Sequence, residues 1–150
     1  MSDTFEEILA RDGILVYKTR GVSMRPMLRQ NRDLVTVRVP SSRLNRFDVA
    51  LYRRGEDHVL HRVIKVRDGH YLIRGDNTFK LENVPDGAVI GVLTGFVRKG
   101  KEHSVTERGY RAYVRIWNGI YPLRSLFARL RCLASRAARK LGIKRKKAGN

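Results

Sequence analysis

A serine, a histidine and an aspartate in this chain sit in surroundings that suit hydrolytic chemistry. Ser23 lies in GVSMRPML, residues 21–28, between Gly21 and Pro26. Two backbone breakers around one hydroxyl can present it to a substrate as a nucleophile, although the same residues also make an ordinary turn in which the hydroxyl bonds the local backbone. A serine needs a neighbouring base before it attacks. Of the four histidines, His61 in HVLHRVIKV is the best placed. On a strand its side chain shares a face with Val59 and Val63, while Leu60, Ile64 and Val66 face the other way. An imidazole between valines is partly desolvated, which favours the neutral form that a base requires. A strand histidine satisfied by a neighbouring hydroxyl would show the same pattern. Asp76, in RGDN at residues 74–77, could orient that imidazole and stabilise its cation, as carboxylates do in serine triads, or could simply build a turn.

These side chains must be carried by a framework of short strands. FEEILARDG reads as a short helix stopped by Gly13, followed by a strand, ILVYKT, that leads into the serine loop. LVTVRV and DVALYRR are separate strands around the turn-rich PSSRLNRF. HVLHRVIKV and HYLIR flank Asp68-Gly69, a favoured two-residue turn, and form the clearest hairpin. A last strand, AVIGVLTGFV, follows Pro85-Asp86-Gly87. The expected fold class is mainly β, a folded-over sheet or partial barrel with helix only at the ends.

In order and spacing, GVSMRPML, RFDVALYRR, VLHRVIKV and YLIRGDN resemble the boxes of the signal peptidase family of serine peptidases. The histidine places the likeness nearer the archaeal and endoplasmic-reticulum branch than the bacterial and LexA-like branches, whose base is lysine. The resemblance spans residues 13 to 98. It implies Ser23 as nucleophile, His61 as general base and Asp76 as supporting acid in a β-rich domain that cleaves peptides through an acyl-enzyme. It also implies Gly21, Met24 and Pro26 as substrate-side residues of the serine loop, with Met24 lining the subsite before the cut and Pro26 shaping the loop. The hydroxyl that many relatives carry two residues before the nucleophile is Gly21 here, which leaves the oxyanion to backbone amides. A second acid that relatives often carry after Gly-Asp-Asn has Glu82 and Asp86 as its nearest counterparts. Self-cleavage is not expected, since the 22 residues before Ser23 contain no Ala-Gly pair.

Charge divides the chain in two. Of a net +18, residues 107–150 hold +12, from 13 Lys and Arg against the single acid Glu107. The expected organisation is a β-rich peptidase domain over 1–106 and a basic helical extension over 107–150. From Pro122, the apolar residues Leu123, Leu126, Phe127, Leu130, Leu133, Ala134, Ala137, Ala138 and Leu141 recur at helical steps, with arginines on the other side. GIKRKKAGN then reads as a frayed end. The partners this implies are a peptide or protein substrate and an anionic membrane surface. Nucleic acid fits less well, because Tyr110, Tyr113, Trp117, Tyr121 and Phe127 cluster rather than alternate with the basic residues.

No cofactor or metal is expected, since His58 and His61 are the closest nitrogen pair and no Cys pair accompanies them. The lone Cys132 asks for no oxidising compartment. The acidic start MSDTFEEILARDG is not a secretory signal, and GAVIGVLTGFV is too short to span a bilayer. The expected location is therefore cytoplasmic, peripheral on the inner face of the membrane.

Overall fold

The computed structural model describes residues 3–140. Leu141 and the basic stretch 142–150 lie outside the described residues. By contact the chain divides into two compact units, 1–115 and 116–150.

The first unit opens with α1 (Phe5–Asp12), whose ends are closed by its own sequence. Thr4 Oγ1 accepts from the Glu7 amide at 3.2 Å and Glu7 Oε2 accepts from the Thr4 amide at 2.7 Å, a reciprocal cap. Gly13, at φ 69°, ends the helix in the left-handed region that glycine adopts without strain. Leu9 is its one buried side chain.

Eight antiparallel strands follow: β1 (Ile14–Lys18), β2 (Leu34–Arg38), β3 (Val49–Arg54), β4 (Asp57–Arg67), β5 (His70–Arg74), β6 (Glu82–Pro85), β7 (Val89–Arg98) and β8 (Lys101–Ser104). They form one sheet in the order β1-β2-β7-β3-β4-β5-β6, with β8 hairpinned onto β7, and the sheet curls into a half-barrel. The mainly β architecture with helices at the ends agrees with the sequence pattern. Two short strands, β6 and β8, were not evident in it.

The central strand β3 is buried on both faces, which is why VALY does not alternate with polar residues. Val49 and Leu51 enter one core cluster with Leu15, Val35, Val37, Leu60 and Leu93. Ala50 and Tyr52 enter another with Val63, Tyr71, Ile73 and Val84. Pairing across β4 then sorts its side chains. Ala50 lies opposite His61 and Tyr52 opposite Val59, so these four share the second face, while Arg62, opposite Val49, is on the first.

Arg62 is fully buried, and every donor of its guanidinium is used. Nε and one terminal nitrogen donate to the two oxygens of Asp76, both at 2.7 Å. The other terminal nitrogen donates to Phe47 O and to Tyr110 Oη, each at 3.0 Å, and the remaining contact is Met27 Sδ at 3.3 Å. Tyr113 Oη donates to Asp76 at 2.9 Å. Burial works against the guanidinium charge, but the Asp76 carboxylate more than offsets it and holds the Arg62 pKa above its ordinary value.

These contacts also place α2 (Arg108–Gly119). Its first turns belong to the sheet unit, with Val114 buried and Tyr110 and Tyr113 packed on the first cluster. The charge boundary at 106 therefore falls before the point where the two units part, because two tyrosines in the basic segment serve the buried ion pair. In the second unit, α3 (Tyr121–Lys140) follows α2 after Ile120. No helix among the described residues is long and apolar enough to cross a membrane.

Because the Arg62 charge is buried, Asp76→Ala strands it without a counter-charge. Urea unfolding should show a stability loss of about 3–5 kcal/mol with an unchanged slope. A loss below about 1 kcal/mol would mean that the pair does not organise this end of the sheet.

Candidate active site

Ser23 is carried on a loop that the core holds at several points. At its base the Thr19 amide donates to Asp33 O at 3.3 Å and the Asn31 amide to Thr19 O at 3.0 Å. The buried Asp33 carboxylate accepts from the Arg29 amide at 2.8 Å and from the Arg32 side chain. Burial alone would raise its pKa, but these bonds lower it, so the charge persists. Past Ser23, the side chains of Met24, Met27 and Leu28 are all buried in the first cluster. That i, i+3, i+4 spacing leaves Ser23 at the rim, partly exposed. Gly21, at φ 80°, supplies the left-handed backbone at the start of the turn.

The RGDN turn completes the positioning with three consecutive residues. The Asn77 amide donates to Ser23 O at 2.7 Å and its side-chain nitrogen to Val22 O at 3.3 Å, which clamps the serine loop from outside. Asp76 is pinned by Arg62. Gly75, between the clamp and β5, touches both the serine and the imidazole: a Cβ there would lie 2.7 Å from Ser23 O, 3.0 Å from Ser23 Cβ and 3.1 Å from His61 Nε2. Serine and imidazole thus border a space that only a hydrogen can occupy. The hydroxyl makes no hydrogen bond to Nε2 here.

His61 is buried, and its other nitrogen, Nδ1, lies 3.2 Å from Tyr52 Oη. Tyr52 Oη in turn donates to Glu82 Oε2 at 2.9 Å. A phenol has one proton to give. With its O–H donated to the Glu82 carboxylate, Tyr52 accepts from Nδ1–H, and Nε2 is left with its lone pair on the serine side. Burial and the Glu82 charge both raise the Tyr52 pKa, so the phenol keeps its proton. Desolvation lowers the His61 pKa below the usual 6.5, opposed by the attraction of Glu82. The imidazole is therefore neutral at neutral pH, with its proton on Nδ1.

The structure brings Ser23 and His61 together and takes Asp76 elsewhere. Adjacent residues of a strand point to opposite faces, so His61 and Arg62 diverge, and Asp76, bound to Arg62 and Tyr113, goes to the Arg62 side. Asp76 anchors the turn through its bonds to Arg62 and Tyr113, and it acts on His61 through its charge, which favours the imidazolium. The carboxylate behind Nδ1 belongs to Glu82, whose Oε1 lies 3.6 Å from it. Strand register explains this: Glu82 pairs with Ile73 and Ile73 with Val63, all on the His61 face. Of the two acids the resemblance offered as the second, Glu82 is the one at the imidazole and Asp86 pairs with Arg43. Tyr52 was not foreseen as a site residue, and the place of Glu82 was hidden because ENVP, with its polar centre and terminal proline, does not read as a strand.

Ser23 and His61 open onto a cleft of about 1060 Å³. Gly21 and Met24 line it, and Leu28 and Leu60 add apolar surface. Met24 is both a core residue and part of the cleft wall. Pro26 is exposed and outside the cleft lining, so it shapes the loop without meeting whatever the cleft holds. Among the described residues no group of three His, Cys, Asp or Glu could hold a metal ion. The chain matches no protein-family model and no curated protein.

Gly75→Ala tests how tightly this geometry is packed. The nearest neighbour of the added methyl is a backbone oxygen held by Asn77, which cannot yield cheaply. Overpacking of this kind should cost about 1–3 kcal/mol, less the few tenths to 1 kcal/mol that alanine gains over glycine in the unfolded chain. Unchanged stability in denaturant unfolding would show that the site is looser than described.

Proposed function

We propose that this chain is a serine endopeptidase of the signal peptidase type, cleaving a peptide or protein precursor at Ser23. One observation carries the reading: Ser23 and the Nε2 of His61 meet across Gly75, while Nδ1 is held by a phenol that donates its own hydrogen bond to Glu82. His61 takes the Ser23 proton as the oxygen attacks the scissile carbonyl. The imidazolium gives that proton to the departing amine, which leaves the acyl group on Ser23. Water, deprotonated by the same imidazole, then releases the acid and restores the hydroxyl.

Each other residue has a narrower part. Tyr52 and Glu82 are positioning residues: they fix the tautomer, and the Glu82 charge steadies the transient imidazolium. Asp76 and Asn77 hold the loop that carries the nucleophile. With no side-chain hydroxyl at residue 21, backbone amides of the serine loop supply the oxyanion donors. Met24, Leu28 and Leu60 offer an apolar wall to the acyl-side residues of the substrate. A non-catalytic binding protein on the same scaffold is the competing reading, and the inward-facing tautomer argues against it, since mere binding needs no base.

Digestion of a peptide library, read by mass spectrometry, tests the proposal and reveals the cleavage sequence together. Ser23→Ala and His61→Ala should each abolish cleavage, and the double variant should be no worse than either alone. The wild-type rate should rise with pH through an apparent pKa below 6.5 and then level off, because only neutral imidazole can accept the proton and burial has lowered its pKa. Undiminished cleavage by Ser23→Ala would end the peptidase reading.

A further inference from the structure

The apolar side of α3 is its exposed side. At about 100° per residue, Leu123, Leu126, Phe127, Leu130 and Leu133 fall with Ala134 and Ala137 within an arc of about 120°. The five large side chains are exposed, from 54% for Leu130 to 69% for Leu123. The half-buried residues of the first turns, Tyr121, Arg124, Ser125 and Ala128, lie on the opposite side. An amphipathic helix that served only its own core would be turned the other way. Arg131 borders the stripe along one margin, Arg129 and Arg136 along the other, all exposed, and the helix contains no acid.

We propose that this face docks the protein on an anionic lipid bilayer, with the helix axis lying in the membrane plane. The leucines and Phe127 enter the acyl boundary while the marginal arginines reach lipid phosphates, which satisfies both halves of the helix at once. Charge argues against the other occupants. Two copies pairing along the stripe would bring their marginal arginines together with no acid on either helix to neutralise them. Nucleic acid would take the arginines and leave five large apolar side chains in water. The inference is independent of the chemistry at Ser23.

The test is co-sedimentation of the full-length chain with vesicles of phosphatidylcholine alone and of phosphatidylcholine with phosphatidylglycerol. The wild type should pellet with the anionic vesicles, less so as salt rises. Phe127→Asp/Leu130→Asp replaces two exposed side chains, so it should leave the far-ultraviolet circular dichroism unchanged and weaken binding by about 100-fold. Arg129→Gln/Arg136→Gln, which does not touch the apolar stripe, should weaken it by about 10- to 30-fold and flatten the salt dependence. A wild type that remains in the supernatant with anionic vesicles overturns the proposal, whether it then forms a dimer on gel filtration or binds duplex DNA. Full binding by the Phe127→Asp/Leu130→Asp variant overturns it as well.

Discussion

The rest of the structure depends on the buried pair between Arg62 and Asp76. Removing both charges from water is expensive, and the arrangement tolerates it only because all of the guanidinium donors find acceptors. Those acceptors come from parts of the chain far apart in sequence: the serine loop through Met27, the approach to β3 through Phe47, the turn after β5 through Asp76 and the start of α2 through Tyr110. Apolar replacements of buried pairs often match them in stability. What an apolar group cannot do is aim the turn at residues 75–77, and that turn sets both the clamp on the serine loop and the approach of Gly75 to the imidazole.

From that anchor, strand parity divides the labour. One residue of β4 turns to the structural ion pair and its neighbour turns to the site, so the two carboxylates of this region serve opposite faces. Asp76 stabilises position and Glu82 acts through Tyr52 on the imidazole. The phenol passes on an orientation from the carboxylate, whose nearer oxygen lies 3.6 Å from Nδ1 and favours the cation, but desolvation prevails and the imidazole stays neutral. Burial thus keeps the imidazole neutral beside a carboxylate that Tyr52 and Arg54 also engage.

Much of this was legible in the sequence and some was not, for definite reasons. HYLIR and Asp68-Gly69 marked β5 and its turn because alternation and turn chemistry agree there. Ser23 and His61 stood out since a serine between backbone breakers and a histidine among valines are local patterns. The partner of His61 was hidden because it depends on cross-strand register: β6 is only four residues long, and nothing local reveals that Glu82 shares a face with Val63. Tyr52 read as one more apolar residue of a buried strand. The basic segment after 106 likewise concealed Tyr110 and Tyr113, whose hydroxyls matter only once Arg62 is known to be buried. Periodicity disclosed the amphipathic character of α3 but is indifferent to whether the apolar side faces in or out.

Nitrogen-resolved NMR of the imidazoles through a pH titration tests the central claim most directly, since it reads which nitrogen of His61 carries the proton and at what pH the second proton binds. The account requires a neutral ring protonated at Nδ1, with a pKa below 6.5. A ring protonated at Nε2, or one that titrates above that value, would contradict it, because the lone pair would then be unable to face Ser23.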